Sequence, residues 1–139
     1  MMNNIFIMDA CALIASLGNE DGANVVRDLM EQAINNEVII IMNKLNFLEV
    51  YYNVYREYGK DAANDMVKEI KNTPIQIQSE ITDSVFEEAG RLKATHKISV
   101  ADSVALGETI VSGGMLLTSD HHEFEIIEKS ENIKIRWIR

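Results

Sequence analysis

The sequence predicts an α/β fold built on a parallel sheet. Three observations point that way. The runs IFIM (5–8), EVIIIM (37–42) and MLLT (115–118) are continuously apolar, as strands covered on both faces are. Segments with helical spacing separate them, and strands that alternate with helices argue for parallel pairing. Asp9 and Asp120 each stand just past the carboxyl end of such a run, the edge at which open α/β sheets bind ligands.

IFIM is the first strand, and ACALIASL after Asp9 reads as a short helix that breaks at Gly18 and Gly22. Residues 23–35 form a second helix, with Val26, Leu29, Met30 and Ala33 at core spacing. EVIIIM is the second strand. Asn43 can cap the helix KLNFLEVYYNVYREYG, which ends at Gly59. A polar-faced helix follows over 61–72, with Ala62, Met66 and Ile70 inward, until Thr73-Pro74 stops it. IQIQ (75–78) alternates like a strand. Residues 82–96 are amphipathic and helical, with Val85, Ala89 and Leu92 on one side. The helix ISVADSVALGETIV, the strand MLLT, a short helix near 122–129 and the strand IKIRWI (133–138) complete the chain, without repeats or low-complexity segments.

The chain has 139 residues, 47% of them hydrophobic, which suits a single domain over 1–139 with a real core. Its lone cysteine, Cys11, cannot form an intrachain disulfide, so nothing calls for an oxidising compartment. The N-terminal stretch has no basic region before its apolar run, unlike a signal peptide, and no apolar run is long enough to span a membrane. A cytoplasmic protein is the expectation. The net charge of −9 does not attract nucleic acid by field alone, unless carboxylates hold divalent cations.

Each prominent acid has a structural explanation. Asp9 and Asp120 can cap the helices after them. Asp102 stands three residues after Ser99, in a capping-box spacing. Glu49 lies at the border of an apolar arc formed by Leu45, Leu48, Tyr51, Tyr52 and Tyr55, and can pair with Arg56. Asp102 strains its explanation. Ala105, Leu106 and Thr109 neighbour it, and Val100, Ala101, Val104, Ile110 and Val111 cover the other sides. A helix apolar all round is buried, and a buried carboxylate needs a partner or a proton. Taken together, close carboxylates raise each other's pKa unless a cation neutralises them, and oxygen-only ligands suit Mg²⁺ or Mn²⁺ rather than zinc.

Other chemistries lack their parts. There is no phosphate-binding glycine loop and no nucleophile elbow. His121 and His122 are adjacent and point different ways, His96 suits a helix C-terminus, and Cys11 reads as a small core residue.

In these segments the chain resembles the PIN-domain family, and within it the VapC-like toxins of toxin–antitoxin pairs. IFIMDACALIA is similar to the family's strand-Asp-helix opening, with Ala10 and Cys11 where Thr and Ser are common. IIIMNKLNFLEVYY resembles its second strand and Glu-bearing helix, with Asn43 where a proline often stands. KATHKISVADSVALGETI resembles the segment of the third acid, and MLLTSDHHEF the strand with its T-x-D element and the apolar anchor Phe124. The resemblance implies a three-layer α/β/α sandwich with a parallel five-stranded sheet of order 3-2-1-4-5. It also implies a metal-dependent endoribonuclease whose acids are Asp9, Glu49, Asp102 and Asp120, supported by the Thr118 hydroxyl. Asp9, Asp102 and Asp120, with Glu49 completing the site, would then hold Mg²⁺ or Mn²⁺. RNA as substrate, an antitoxin as partner and dimers are further implications. Tyr51, Tyr52, Tyr55 and Tyr58 with Phe47 and Val54 cover about half of one helix, so that helix, with parts of 61–72, is the expected homodimer surface. Two rivals stand beside this reading: a catalytically silent PIN-like scaffold, and a receiver-like signalling domain. The latter usually pairs acids after its first strand and uses a late lysine that MLLTSDHH lacks.

Overall fold

The computed structural model describes residues 4–139. The first three residues, and with them the start of the segment read as unlike a signal peptide, lie outside the described residues. The elements in chain order are β1 (Ile5–Met8), α1 (Ala10–Leu17), α2 (Ala23–Ile34), β2 (Ile39–Asn43), α3 (Lys44–Tyr58), α4 (Lys60–Lys71), β3 (Gln76–Gln78), α5 (Asp83–Thr95), α6 (Val100–Ser112), β4 (Met115–Thr118), α7 (His121–Glu131) and β5 (Ile135–Trp137). The five strands form one sheet in the order β3-β2-β1-β4-β5, with every pairing parallel. This is the three-layer sandwich and strand order that the resemblance implied.

Side chains alternate along each strand, and the alternation assigns helices to faces. Phe6, Met8, Ile40, Met42 and Leu117 point to the face covered by α1, α2, α3 and α4, with Leu13, Val26, Val50 and Met66 among their partners. Ile7, Leu116 and Ile135 point to the opposite face, against Leu92, Ala105, Leu106 and Phe124 from α5, α6 and α7. Both faces of β1 and β4 are therefore buried, which is why their sequences read as unbroken apolar runs. Gly22 makes the turn between α1 and α2 at φ 95°, where a Cβ would lie 2.7 Å from the Ile138 carbonyl oxygen. Only glycine satisfies both conditions there.

Several details differ from the sequence reading. The helix expected near 122–129 runs from His121 to Glu131 and stops at Asn132, which takes a left-handed conformation. In α4 the buried alanine is Ala63 rather than Ala62. In α3 the buried stripe is Asn46 and Val50, with Phe47, Tyr51 and Val54 beside it. Leu48 and Tyr52, expected in the apolar arc, are 52% and 47% exposed. The helix α6 is buried from Ser103 to Thr109, but Val100 and Val111 near its ends face solvent.

The strand order places β1 beside β4. The chain winds from β1 outward through β2 to β3, then returns to the other side of β1 for β4 and β5. The carboxyl ends of β1 and β4 thus flank the point where the winding reverses, and a crevice opens there in such sheets.

Candidate active site

Asp9 leaves β1 directly into this crevice and is only 2% exposed. It caps α1, its Oδ1 accepting from the Ala12 amide at 2.9 Å. Its Oδ2 accepts from the Thr118 hydroxyl at 2.5 Å. Thr118 ends β4, is fully buried, and its Oγ1 also accepts from the Asp120 amide at 3.0 Å. One hydroxyl therefore joins the first acid to the loop that carries the last. Asp120 is half-buried and caps α7 through the Glu123 amide at 3.1 Å. The capping readings of Asp9 and Asp120 hold, and capping leaves both groups at the crevice.

Asp102 sits in the first turn of α6, its amide donating to the Ser99 hydroxyl at 3.1 Å. It is half-buried, because α6 approaches the surface at its N-terminus. Glu49, on α3, is also half-buried. Arg56 does not pair with it; the guanidinium donates to Asn53 Oδ1 at 2.6 Å and lies 5.5 Å over the Tyr52 ring.

Electrostatics tie the four acids into one group. Burial pushes Asp9 up to about 7, against the lowering effect of its bonds from Thr118 and Ala12, and the charges of Asp102 and Asp120 raise it further. Burial also pushes Asp102 up to about 6, opposed by Ser99 and reinforced by Glu49, Asp120 and Glu123. Glu49 is raised by burial and by Asp120. Cys11 lies among them, half-buried rather than in the core. Its thiol is pushed up to about 12 by burial and then by Asp9, Asp120, Asp102 and Glu49, so it stays protonated. Among the described residues no lysine, arginine or histidine forms an ion pair with any of the four.

Carboxylates that raise each other, and that pair with no cation among the described residues, are the donor type that would hold a hard divalent ion. Among the described residues no three His, Cys, Asp or Glu side chains are already gathered closely enough to hold one. Repulsion between unneutralised acids opposes such gathering.

The departures at Ala10, Cys11 and Asn43 have structural counterparts. Asp9 takes its hydrogen bonds from Ala12 and Thr118, without a hydroxyl at 10 or 11. Asn43 caps α3 through the Leu45 amide at 2.9 Å and donates to Glu108 Oε2 at 2.9 Å and to the Glu80 carbonyl at 3.2 Å. A proline could make none of these bonds.

Sequence reasoning missed Asn46. It is fully buried and donates to the carbonyl of Ala101, the residue before Asp102, at 3.1 Å. It lies one helical turn before Glu49, so one amide joins the two helices that carry Glu49 and Asp102. Among the described residues its Oδ1 is buried without a partner. The available signal was its place in the Asn46–Val50 stripe. The histidines also find partners. His96 bonds Glu131 at 2.6 Å, and the His121 ring stacks on Trp137 with centroids 4.0 Å apart.

A parallel three-layer sandwich with a carboxylate-lined crevice at its switch point is the class that fold and geometry define. The chain belongs to the PIN-domain family, whose profile matches residues 6–129. Solved structures of low identity share the fold. VapBC2 from Rickettsia felis, bound to a promoter DNA fragment, aligns with TM-score 0.75 and 16% identity over 95% of this chain and 97% of that one. VapBC-1 from nontypeable Haemophilus influenzae aligns with TM-score 0.73 and 13% identity, over 96% and 98%. Mycobacterium tuberculosis VapC20, described as a Sarcin-Ricin loop cleaving toxin, aligns with TM-score 0.61 and 16% identity, over 87% and 94%. No curated protein matches the chain in sequence.

Proposed function

We propose that this chain is a Mg²⁺- or Mn²⁺-dependent endoribonuclease and the toxin of a toxin–antitoxin pair. What supports the proposal is that Asp9, Glu49, Asp102 and Asp120 act on one another electrostatically near the carboxyl ends of β1 and β4, while among the described residues none of them forms an ion pair. Membership of the PIN-domain family supports it, as does a neighbour of the same fold described as a Sarcin-Ricin loop cleaving toxin.

Asp9, Asp102 and Asp120 hold the ion in this reading, and Glu49 completes the set or orients the attacking water. A bound divalent ion supplies positive charge beside the scissile phosphate and acidifies water. Thr118 fixes Asp9 and the Asp120 loop relative to each other, so two ligands from separate strands keep one geometry. Burial of Asp9 limits water at the reacting centre.

Several neighbours of this fold are VapBC complexes, and an antitoxin is the proposed partner here. A basic antitoxin tail complements the crevice. A homodimer is also proposed. On α3, Tyr52, Tyr55 and Tyr58 are 47%, 45% and 77% exposed and available for a contact. Tyr51 is not, because its hydroxyl donates to Asn64 on α4 at 2.9 Å and its ring packs on the core. Among the described residues no helix is long and apolar enough to cross a membrane. The receiver rival does not fit the sheet, since receivers order their strands 2-1-3-4-5.

The test is cleavage of RNA by the pure chain with Mn²⁺ and with EDTA. Metal-dependent cleavage that Asp120→Asn abolishes supports the proposal. Folded protein that binds Mn²⁺ but leaves RNA intact favours the silent scaffold.

A further inference from the structure

We infer that a cavity beside the acidic crevice holds one nucleotide of single-stranded RNA flanking the cleaved bond. This rests on the ribonuclease reading and names a subsite for its substrate. The cavity, of about 520 Å³, lies between the loop that leads into α6 and the start of α7. Its size falls within the ~300–1,000 Å³ of small-molecule sites. Both rims carry acids of the crevice a few residues further along. One rim presents Lys97, with Ser99 and Asp102 following it. The other presents His122 and Glu123, two and three residues after Asp120. A strand of RNA with its phosphate at Asp102 and Asp120 therefore meets this cavity next.

The cavity's chemistry suits a nucleotide. The chain carries 22 acidic against 13 basic residues, so free positive charge beside the crevice is scarce. Among the described residues neither Lys97 nor His122 forms an ion pair, and both are exposed. His96, also on the lining, is held by Glu131 and is not available in the same way. Ile126, 73% exposed, offers an apolar wall for an unstacked base. Glu123 also lines the cavity and acts on Asp102, so it marks the side toward the metal ligands. The phosphate belongs on the Lys97 and His122 side. Single-stranded RNA is the form whose bases are free to be received this way.

The test uses the full chain and a short fluorescein-labelled single-stranded RNA. Cleavage is followed in Mn²⁺ and binding in EDTA, each over a salt series. Lys97→Ala with His122→Ala, both at exposed positions, is expected to raise KM about tenfold with kcat within about twofold, the pattern of lost binding common to ground and transition states. The log–log salt slope of binding is expected to fall by about 0.7, one phosphate contact from the Lys97 ammonium, the His122 ring serving as a hydrogen-bond partner. Lys97→Arg is expected to stay close to wild type. Unchanged KM and salt slope in a double variant that still cleaves would overturn the subsite alone. Loss of polyglutamate binding with RNA binding intact would also overturn it, assigning the cavity to an acidic protein segment. A wild type that neither binds nor cleaves RNA would overturn the ribonuclease reading and the subsite together.

Discussion

Asp9→Asn is expected to flatten the pH dependence of stability in the metal-free protein. The Asp9 carboxyl moves from an ordinary 3.8 to about 7 on folding, with burial as the main cause. A carboxyl raised in the fold binds its proton more tightly there than in the unfolded chain. Its contribution to stability is full below about 3.8 and is lost as pH rises through about 7. The full span is about 3 units, or roughly 4 kcal/mol at about 1.4 kcal/mol per unit. Between pH 5.5 and pH 8 the linkage integral gives about 2 kcal/mol. Asp102, raised to about 6 but half-exposed, adds less in the same direction.

The assay is urea unfolding in EDTA at both pH values. Wild type should be the more stable at pH 5.5 by about 2 kcal/mol from this group, and Asp9→Asn should lack most of that difference. Asparagine can keep the Ala12 cap but disturbs the bond from Thr118, at about 1 kcal/mol. The variant should therefore be ahead by about 1 kcal/mol at pH 5.5 and by about 3 kcal/mol at pH 8, with wild type ahead only below about pH 4.5. Equal pH dependence in both would refute the argument that Asp9 is ionised at a cost in the metal-free fold. Millimolar Mn²⁺ at pH 8 should raise the stability of wild type and not of the variant.

Asp102→Asn should abolish RNA cleavage while leaving metal-free stability unchanged or higher, measured by activity and urea midpoint; an active but destabilised variant would return Asp102 to a capping role. Thr118→Val strands Asp9 Oδ2 and the Asp120 amide together, so a loss of about 1–3 kcal/mol is expected by denaturant titration, with weaker Mn²⁺ binding by calorimetry. Asn46→Ala should reduce Mn²⁺ affinity as well as stability, because the tie from α3 to Ala101 is lost; unchanged affinity would make Asn46 a packing residue only. Light scattering at micromolar concentration should give twice 15.7 kDa for wild type and 15.7 kDa for Tyr55→Glu with Tyr58→Glu.

The strands and their parallel arrangement were legible because β1 and β4 are buried on both faces and therefore apolar without a break. Helix ends were legible where chemistry is local, as with Asn43 capping α3 and Gly59 ending it. The outward and inward sides of α3 were not. Leu48 looks like core by hydrophobicity, yet the buried stripe is held by Asn46, whose partner is 55 residues away at Ala101. The bond between Asn43 and Glu108, 65 residues apart, is equally invisible along the chain. Asp9 and Asp120 could be placed near each other only on the condition that their strands pair, a condition that the sequence leaves open and the sheet meets. His96 was read as a dipole partner because Glu131 lies 35 residues further on.

The link from Thr118 to Asp9 spans 109 residues, nearly the length of the chain. During synthesis, the strand bearing Asp9 and both helices bearing Glu49 and Asp102 leave the ribosome before Met115–Thr118 exists to complete the crevice. No partial chain that stops short of β4 carries the assembled carboxylates. In a finished molecule β4 is paired to β1 on one side and to β5 on the other, so parting Asp120 and Thr118 from Asp9 means opening the sheet at its centre. Whatever the crevice does thus waits on a four-residue strand made late in synthesis, and then lasts as long as the sheet stays closed at its centre.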